Sequence, residues 1–103
     1  MIFVFEVHIR PGYSADRYGA AWVEASEIIQ RAEGARGTRL HRAIGDPMKL
    51  LAIASWESKG ARDAADRARD PRVQAIIKAE ARYVEIRLVG EFEDADWIVD
   101  PQD

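Results

Sequence analysis

The chain contains no cysteine, so disulfides, thiolate metal ligands and cysteine nucleophiles are all excluded. Histidine is nearly as scarce: only His8 and His41 are present. They fall on the first and second predicted strands, with another strand expected between them, so no shared metal site is expected. No apolar run approaches the roughly 20 residues that a membrane-crossing helix needs, so no membrane partner is expected. The first nine residues are apolar but interrupted by Glu6 and His8, and no basic segment leads them. They read as a strand rather than a signal peptide, and a cytoplasmic setting is the expectation. Gly34, Gly37 and Gly45 make no phosphate-binding loop. Ser14, Ser26, Ser55 and Ser58 lack the glycine-flanked context of a nucleophile elbow. A concentrated basic stripe is also missing, and nucleic acid is not an expected partner.

What is present is a chain of 103 residues with ordinary apolar and charged content, the size of one domain. Its net charge of −3 hides an asymmetry. From Glu91 to the end there are six acids and no Lys or Arg, so residues 1–90 carry 15 bases against 12 acids. The reading is a domain over residues 1–93 and an acidic tail over 94–103. Within that tail Trp97-Ile98-Val99 is an apolar island.

The pattern of periods gives the elements. Residues 2–9 are β-branched and aromatic, with Phe3, Phe5, Val7 and Ile9 on one face and Ile2, Val4, Glu6 and His8 on the other. Ser14 suits the N-cap of a helix reaching about Glu33, with Gly34 just past its end. Its apolar stripe is Tyr18, Ala21, Trp22, Ala25, Ile28, Ile29 and Ala32. Residues 37–44 and 48–56 read as strands joined by the turn Gly45-Asp46-Pro47. Ser58 opens a helix whose inner stripe is Ala61, Ala64, Ala65 and Ala68. Asp70-Pro71 restarts it, with Asp as cap and Pro in the first turn, and the new piece buries Val73, Ile76 and Ile77. A last strand runs from about Tyr83 to Phe92. The order βαββαβ predicts an α+β, ferredoxin-like fold: a four-stranded antiparallel sheet in order 4-1-3-2, with the helices on one face.

Two consequences follow for function. The face away from the helices mixes Glu6, His8, Arg39, His41, Glu85 and Arg87 with valine and isoleucine, and the third strand is too apolar for one wet face. A homodimer packing through that face is expected. On the other side, alanines facing Phe3, Phe5 and Trp22 leave either close packing or a cavity. A cavity would be lined by Phe3, Phe5, Trp22, Ala64, Ala65, Val73 and Ile77, with Trp56 at one end. It would take a small apolar or aromatic ligand.

These elements carry a resemblance. A first strand ending in Arg10-Pro11-Gly12, a helix with Trp22, Gly34 before Gly37-Thr38-Arg39-Leu40-His41-Arg42, the turn Gly45-Asp46-Pro47, Ser55-Trp56-Glu57-Ser58, and Asp70-Pro71 before Val73-Gln74 are together similar to the antibiotic biosynthesis monooxygenase family. The likeness covers roughly residues 2–92. It implies a dimeric α+β barrel with a pocket between helices and sheet. It also implies oxygenation of phenolic polyketide-like substrates with no cofactor. Haem-degrading members pair an Asn with a Trp and a His. Phe5, Ala65 and Gln74 stand at those places here, so haem degradation is not expected. The resulting expectation is a cofactor-independent monooxygenase of a small aromatic. Phe3, Phe5, Trp22, Ala65 and Ile77 would bind the substrate, and Trp56 and His41 would be the catalytic candidates. The alternative is a non-catalytic ligand-binding or structural dimer.

Overall fold

The computed structural model describes residues 1–102. Its elements are β1 (Ile2–Ile9), α1 (Ala15–Ile29), β2 (Ala35–Ala43), β3 (Asp46–Trp56), α2 (Lys59–Arg67), α3 (Pro71–Glu80) and β4 (Val84–Phe92). The strands form one antiparallel sheet in the order β2-β3-β1-β4, the expected order read from its other edge. The α+β, ferredoxin-like class is therefore the observed one.

Burial follows strand alternation. Val7 and Ile9 of β1, Leu50 of β3 and Val84 of β4 pack beneath the helices with Ala15 and Tyr18 of α1 and with Tyr83. Phe5, Trp22, Leu40 and Met48 are half-buried around this cluster. Tyr83 is wholly buried, with Tyr13 stacked on its ring at 4.8 Å and the Arg17 guanidinium 4.8 Å from the ring centre. Aromatic stacking and a cation–π contact thus close the end of the core where α1 begins.

The helix starts obey their caps. Ser14 Oγ accepts from Arg17 N, Ser58 Oγ from Ala61 N, and an Asp70 carboxylate oxygen from Arg72 N. Pro71 at the first turn of α3 loses no hydrogen bond there, which is why the Asp-Pro pair restarts the helix.

Several expectations need correction. Helix α1 ends at Ile29, capped at Gln30, rather than near Glu33. Arg31 N and Ala32 N then bond to Ile28 O and Ile29 O in tight turns. Gly34 consequently does not terminate the helix. It has φ +86, and a Cβ there would lie 2.6 Å from Ala61 Cβ. Its missing side chain is what lets the start of β2 approach α2. The β2–β3 turn is Ile44-Gly45, and Asp46 and Pro47 already belong to β3. Proline cannot donate to a ladder, and the β2–β3 register slips there: Arg42 pairs with Leu50 but Ala43 with Asp46.

Strand β4 carries a bulge that simple alternation does not foresee. Phe5 pairs with Leu88 and Phe3 with Glu91, so β4 spends three residues where β1 spends two. Gly90, at φ +154, absorbs the distortion, and the Phe92 ring lies close over it. The slip turns Glu91 toward the helices, where unbroken alternation would have grouped it with Glu85 and Arg87.

Candidate active site

Between the helices and the sheet lies a cavity of about 880 Å³. The full apolar stripe of α1 faces it, Tyr18, Ala21, Trp22, Ala25, Ile28 and Ile29, followed by Ala32 in the turn after the helix. The sheet contributes Phe3, Phe5, Thr38, Ala54 and Trp56 and, from β4, Val84, Ile86 and Leu88. Helix α3 adds Val73, Ile76 and Ile77. All five residues expected to bind a substrate, Phe3, Phe5, Trp22, Ala65 and Ile77, line this space, and so does Trp56.

The remaining candidates are placed differently. His41 is exposed, and its alternation partners Thr38, Leu40 and Arg42 take the helix side of β2. His41 pairs in register with Leu51, which pairs in turn with Glu6, so these three share the far face of the sheet. The structure does not bring His41 to the cavity. Ala64 is exposed rather than lining, and the α2 wall is made by Arg62, Ala65, Asp66, Ala68 and Arg69. Gln74 is exposed and points into a separate shallow groove with Asp66, Arg67 and Lys78.

Arg62 and Glu91 were not legible as cavity residues. The Arg62 guanidinium sits 3.9 Å from the centre of the Phe3 ring, a cation–π contact at the cavity wall. Its Nη1 is 3.6 Å from Glu91 Oε1, and Lys59 Nζ lies 3.2 Å from Glu91 Oε2 and 3.1 Å from Asp63 Oδ2. Hydrogen bonds to Asp63 and then to Glu91 hold the Lys59 ammonium above its usual range. At the α2–α3 junction Arg69 pairs with Asp66, and Arg72 reaches Asp70 Oδ2 at 2.8 Å. The Arg72 hydrogen bonds pull the Asp70 carboxyl down to about 2. The mouth of the cavity is therefore rimmed by paired charges while its walls are apolar and aromatic.

The interior has two polar groups of another kind. Tyr18 is buried, and that burial, with the charge of Glu80 adding to it, pushes its phenol up to about 12. The phenol keeps its proton at any physiological pH and remains a donor. Glu80 lines the same cavity, and its Oε2 is buried with no hydrogen-bond partner.

On the far face of the sheet, Glu6 Oε1 is 3.0 Å from His8 Nε2 and 3.2 Å from Lys49 Nζ. Those partners, Lys49 first, hold the Glu6 carboxyl below its usual range. Arg87 bonds to Glu85 beside them. Ile2, Val4, Leu51, Ile53 and Phe92 share that face by register, with Arg39 and His41 on its β2 side.

The family model of the antibiotic biosynthesis monooxygenases matches residues 1–79, about three-quarters of the chain. The protein belongs to the antibiotic biosynthesis monooxygenase family. Solved structures agree with this family's fold. A point variant of SnoaB, a cofactor-independent oxygenase from Streptomyces nogalater, superposes with a TM-score of 0.79 at 15% identity, covering 91% of this chain and 92% of that one. A Bacteroides thetaiotaomicron protein solved as a candidate antibiotic biosynthesis monooxygenase gives 0.74 at 14% identity, with 98% and 95% covered. A conserved protein from Methanosarcina mazei gives 0.67 at 16% identity, with 88% and 92% covered. No curated protein matches this family member by sequence.

Proposed function

We propose that this protein is a cofactor-independent monooxygenase acting on a small aromatic or polyketide-like phenolic substrate held between its helices and its sheet. The observation that carries the reading is the cavity of about 880 Å³, large enough for a multi-ring aromatic and walled by Phe3, Phe5, Trp22, Trp56 and the α1 stripe. The likeness to SnoaB, itself a cofactor-independent oxygenase, supports the same reaction class.

In such a reaction the substrate supplies the electrons. A ring C–H para to a phenolic O–H becomes a second C=O as the phenol turns into a quinone; one atom of O₂ enters that carbonyl, and the other takes the ring and hydroxyl hydrogens and leaves as water. The protein's part is to bind an electron-rich ring in a dry space and fix its orientation toward O₂. Trp56, Trp22 and Phe5 do the orienting, and Ala65 and Ile77 set the room available. The working unit in this reading is a homodimer packed through the far face of the sheet. The apolar rows on that face support it, as do Trp97, Ile98 and Val99, which a single copy leaves 91%, 70% and 90% exposed.

Oxygen uptake with a panel of phenols and hydroquinones, in the presence of a metal chelator, tests the proposal. Uptake is expected with at least one of them and should fall roughly ten- to a hundredfold in Trp56→Ala, the loss typical of a misoriented substrate. One observation favours the runner-up, a non-catalytic binder of the same ligands: among the described residues, neither His8 nor His41 lines the cavity. Ligand binding without uptake across the panel would decide for that reading.

A further inference from the structure

We infer that Glu80 is the acceptor for an aromatic hydroxyl in the cavity, and that it makes the site select phenols and hydroquinones over the same rings without an O–H. This deepens the proposed function and rests on its reading of the cavity as a ligand site.

The argument starts from where Glu80 stands. It is the last residue of α3, where the negative end of the helix opposes a carboxylate. Its Oε2 is buried and unpartnered, and leaving such a group unpaired is costly. The other acids that line the cavity are compensated. Asp66 pairs with Arg69, Asp70 with Arg72, and Glu91 with Lys59 and Arg62. Among the described residues, Glu80 is the cavity-lining acid without an ion pair. Its inward-turned Oε2 has no partner in the protein, so folding alone gives no reason for its placement.

The ligand chemistry follows from the surroundings. An acceptor of this kind needs a donor, and the apolar wall around it favours a neutral one, because a second buried charge would add its own desolvation. A ring hydroxyl meets both conditions. Tyr18, on the same cavity, keeps its phenolic proton and can donate to the oxygen of a hydroxyl that has given its hydrogen bond to Glu80.

The test compares 1,5-dihydroxynaphthalene with 1,5-dimethoxynaphthalene and 1-naphthylmethylammonium. Binding is read by tryptophan fluorescence, since Trp22 and Trp56 line the cavity. The diol should bind the wild type about tenfold tighter than the diether, the weight of one hydrogen bond to a charged acceptor. In Glu80→Leu the ratio should fall to about one, with diether binding retained. Glu80→Gln, which preserves shape, should reduce the ratio without abolishing binding. It carries the test if the leucine variant does not fold.

A diol preference unchanged in both variants overturns the inference, as does tighter binding of the ammonium compound than of the diol by the wild type. Equal binding of diol and diether by the wild type removes the role of Glu80 and leaves the cavity reading standing. If no naphthalene binds the wild type, the cavity reading falls and this inference goes with it.

Discussion

The two long walls of the cavity are held by different physics. Helix α1 is 15 residues long, buries Ala15, Tyr18 and Ala25, and packs on a sheet core that includes Val7 and Leu50. Helix α2 has nine residues and buries none. It is tied to the rest by a largely exposed Lys59 paired with Glu91, by the half-buried Arg62 paired with Glu91 and lying over Phe3, and by the close approach of Ala61 to Gly34. Apolar burial costs several kcal/mol to undo, whereas exposed ion pairs contribute little. One wall of the cavity is thus part of the folding core. The other is expected to open at lower cost than the domain takes to unfold.

The largest effect that tests this contrast belongs on the firm side. Leu50 is 2% exposed, and Leu50→Ala should cost about 2–5 kcal/mol of stability, read by urea unfolding. A similar loss from any truncation of the α2 alanines would erase the distinction. On the loose side, Gly34 leaves no room for a side chain. Gly34→Ala introduces a side chain at φ +86, into space that Ala61 occupies. The expected cost is about 1–3 kcal/mol, with faster amide exchange concentrated in α2 rather than in β1 and β3. Uniform exchange across the domain would show that α2 is as integral to the fold as α1.

The same contrast explains what the sequence made legible. The α1 stripe was readable because bulky apolar residues recur there at helical spacing, and every one of them faces the cavity. The α2 stripe was only half readable. Alanine is nearly indifferent to which way it faces, so Ala64 and Ala65 look alike in a pattern, and the side that turns inward is fixed by Arg62 on Phe3 and by Glu91. Glu91 in turn reaches that side only through the β4 bulge at Gly90, an irregularity that period-two counting passes over. Glu80 was missed for a related reason. A charged residue at a helix end normally reads as solvated, and only the fold shows its carboxylate turned inward.

A third test acts at the joint between α2 and α3. The Asp70 carboxyl is held at about 2 by the Arg72 side chain, below its ordinary 3.8. A depressed carboxyl stabilises the folded state fully above its unfolded value and loses that contribution as pH falls through the folded one. The window is therefore about pH 4 down to about pH 2. Asp70→Asn keeps an N-cap acceptor but removes the ion pair, so the gap in urea midpoint between wild type and variant should narrow as pH drops through that window. A gap independent of pH would mean that the cap bond, not the charge, holds the joint.

The smallest effect is expected on the far face of the sheet. His41 is exposed and lies on the side of β2 opposite Thr38, which faces the cavity. If the reaction occurs between helices and sheet, no substrate held there can pass a proton to its imidazole through an intact strand. His41→Ala should then leave oxygen uptake within about twofold of wild type, because its imidazole lies across the sheet from the cavity. A large loss of turnover with unchanged ligand affinity would move the chemistry to the other side of the sheet. The charged group of Glu6, His8 and Lys49 would then become its surroundings, and the cavity would be reduced to a binding site.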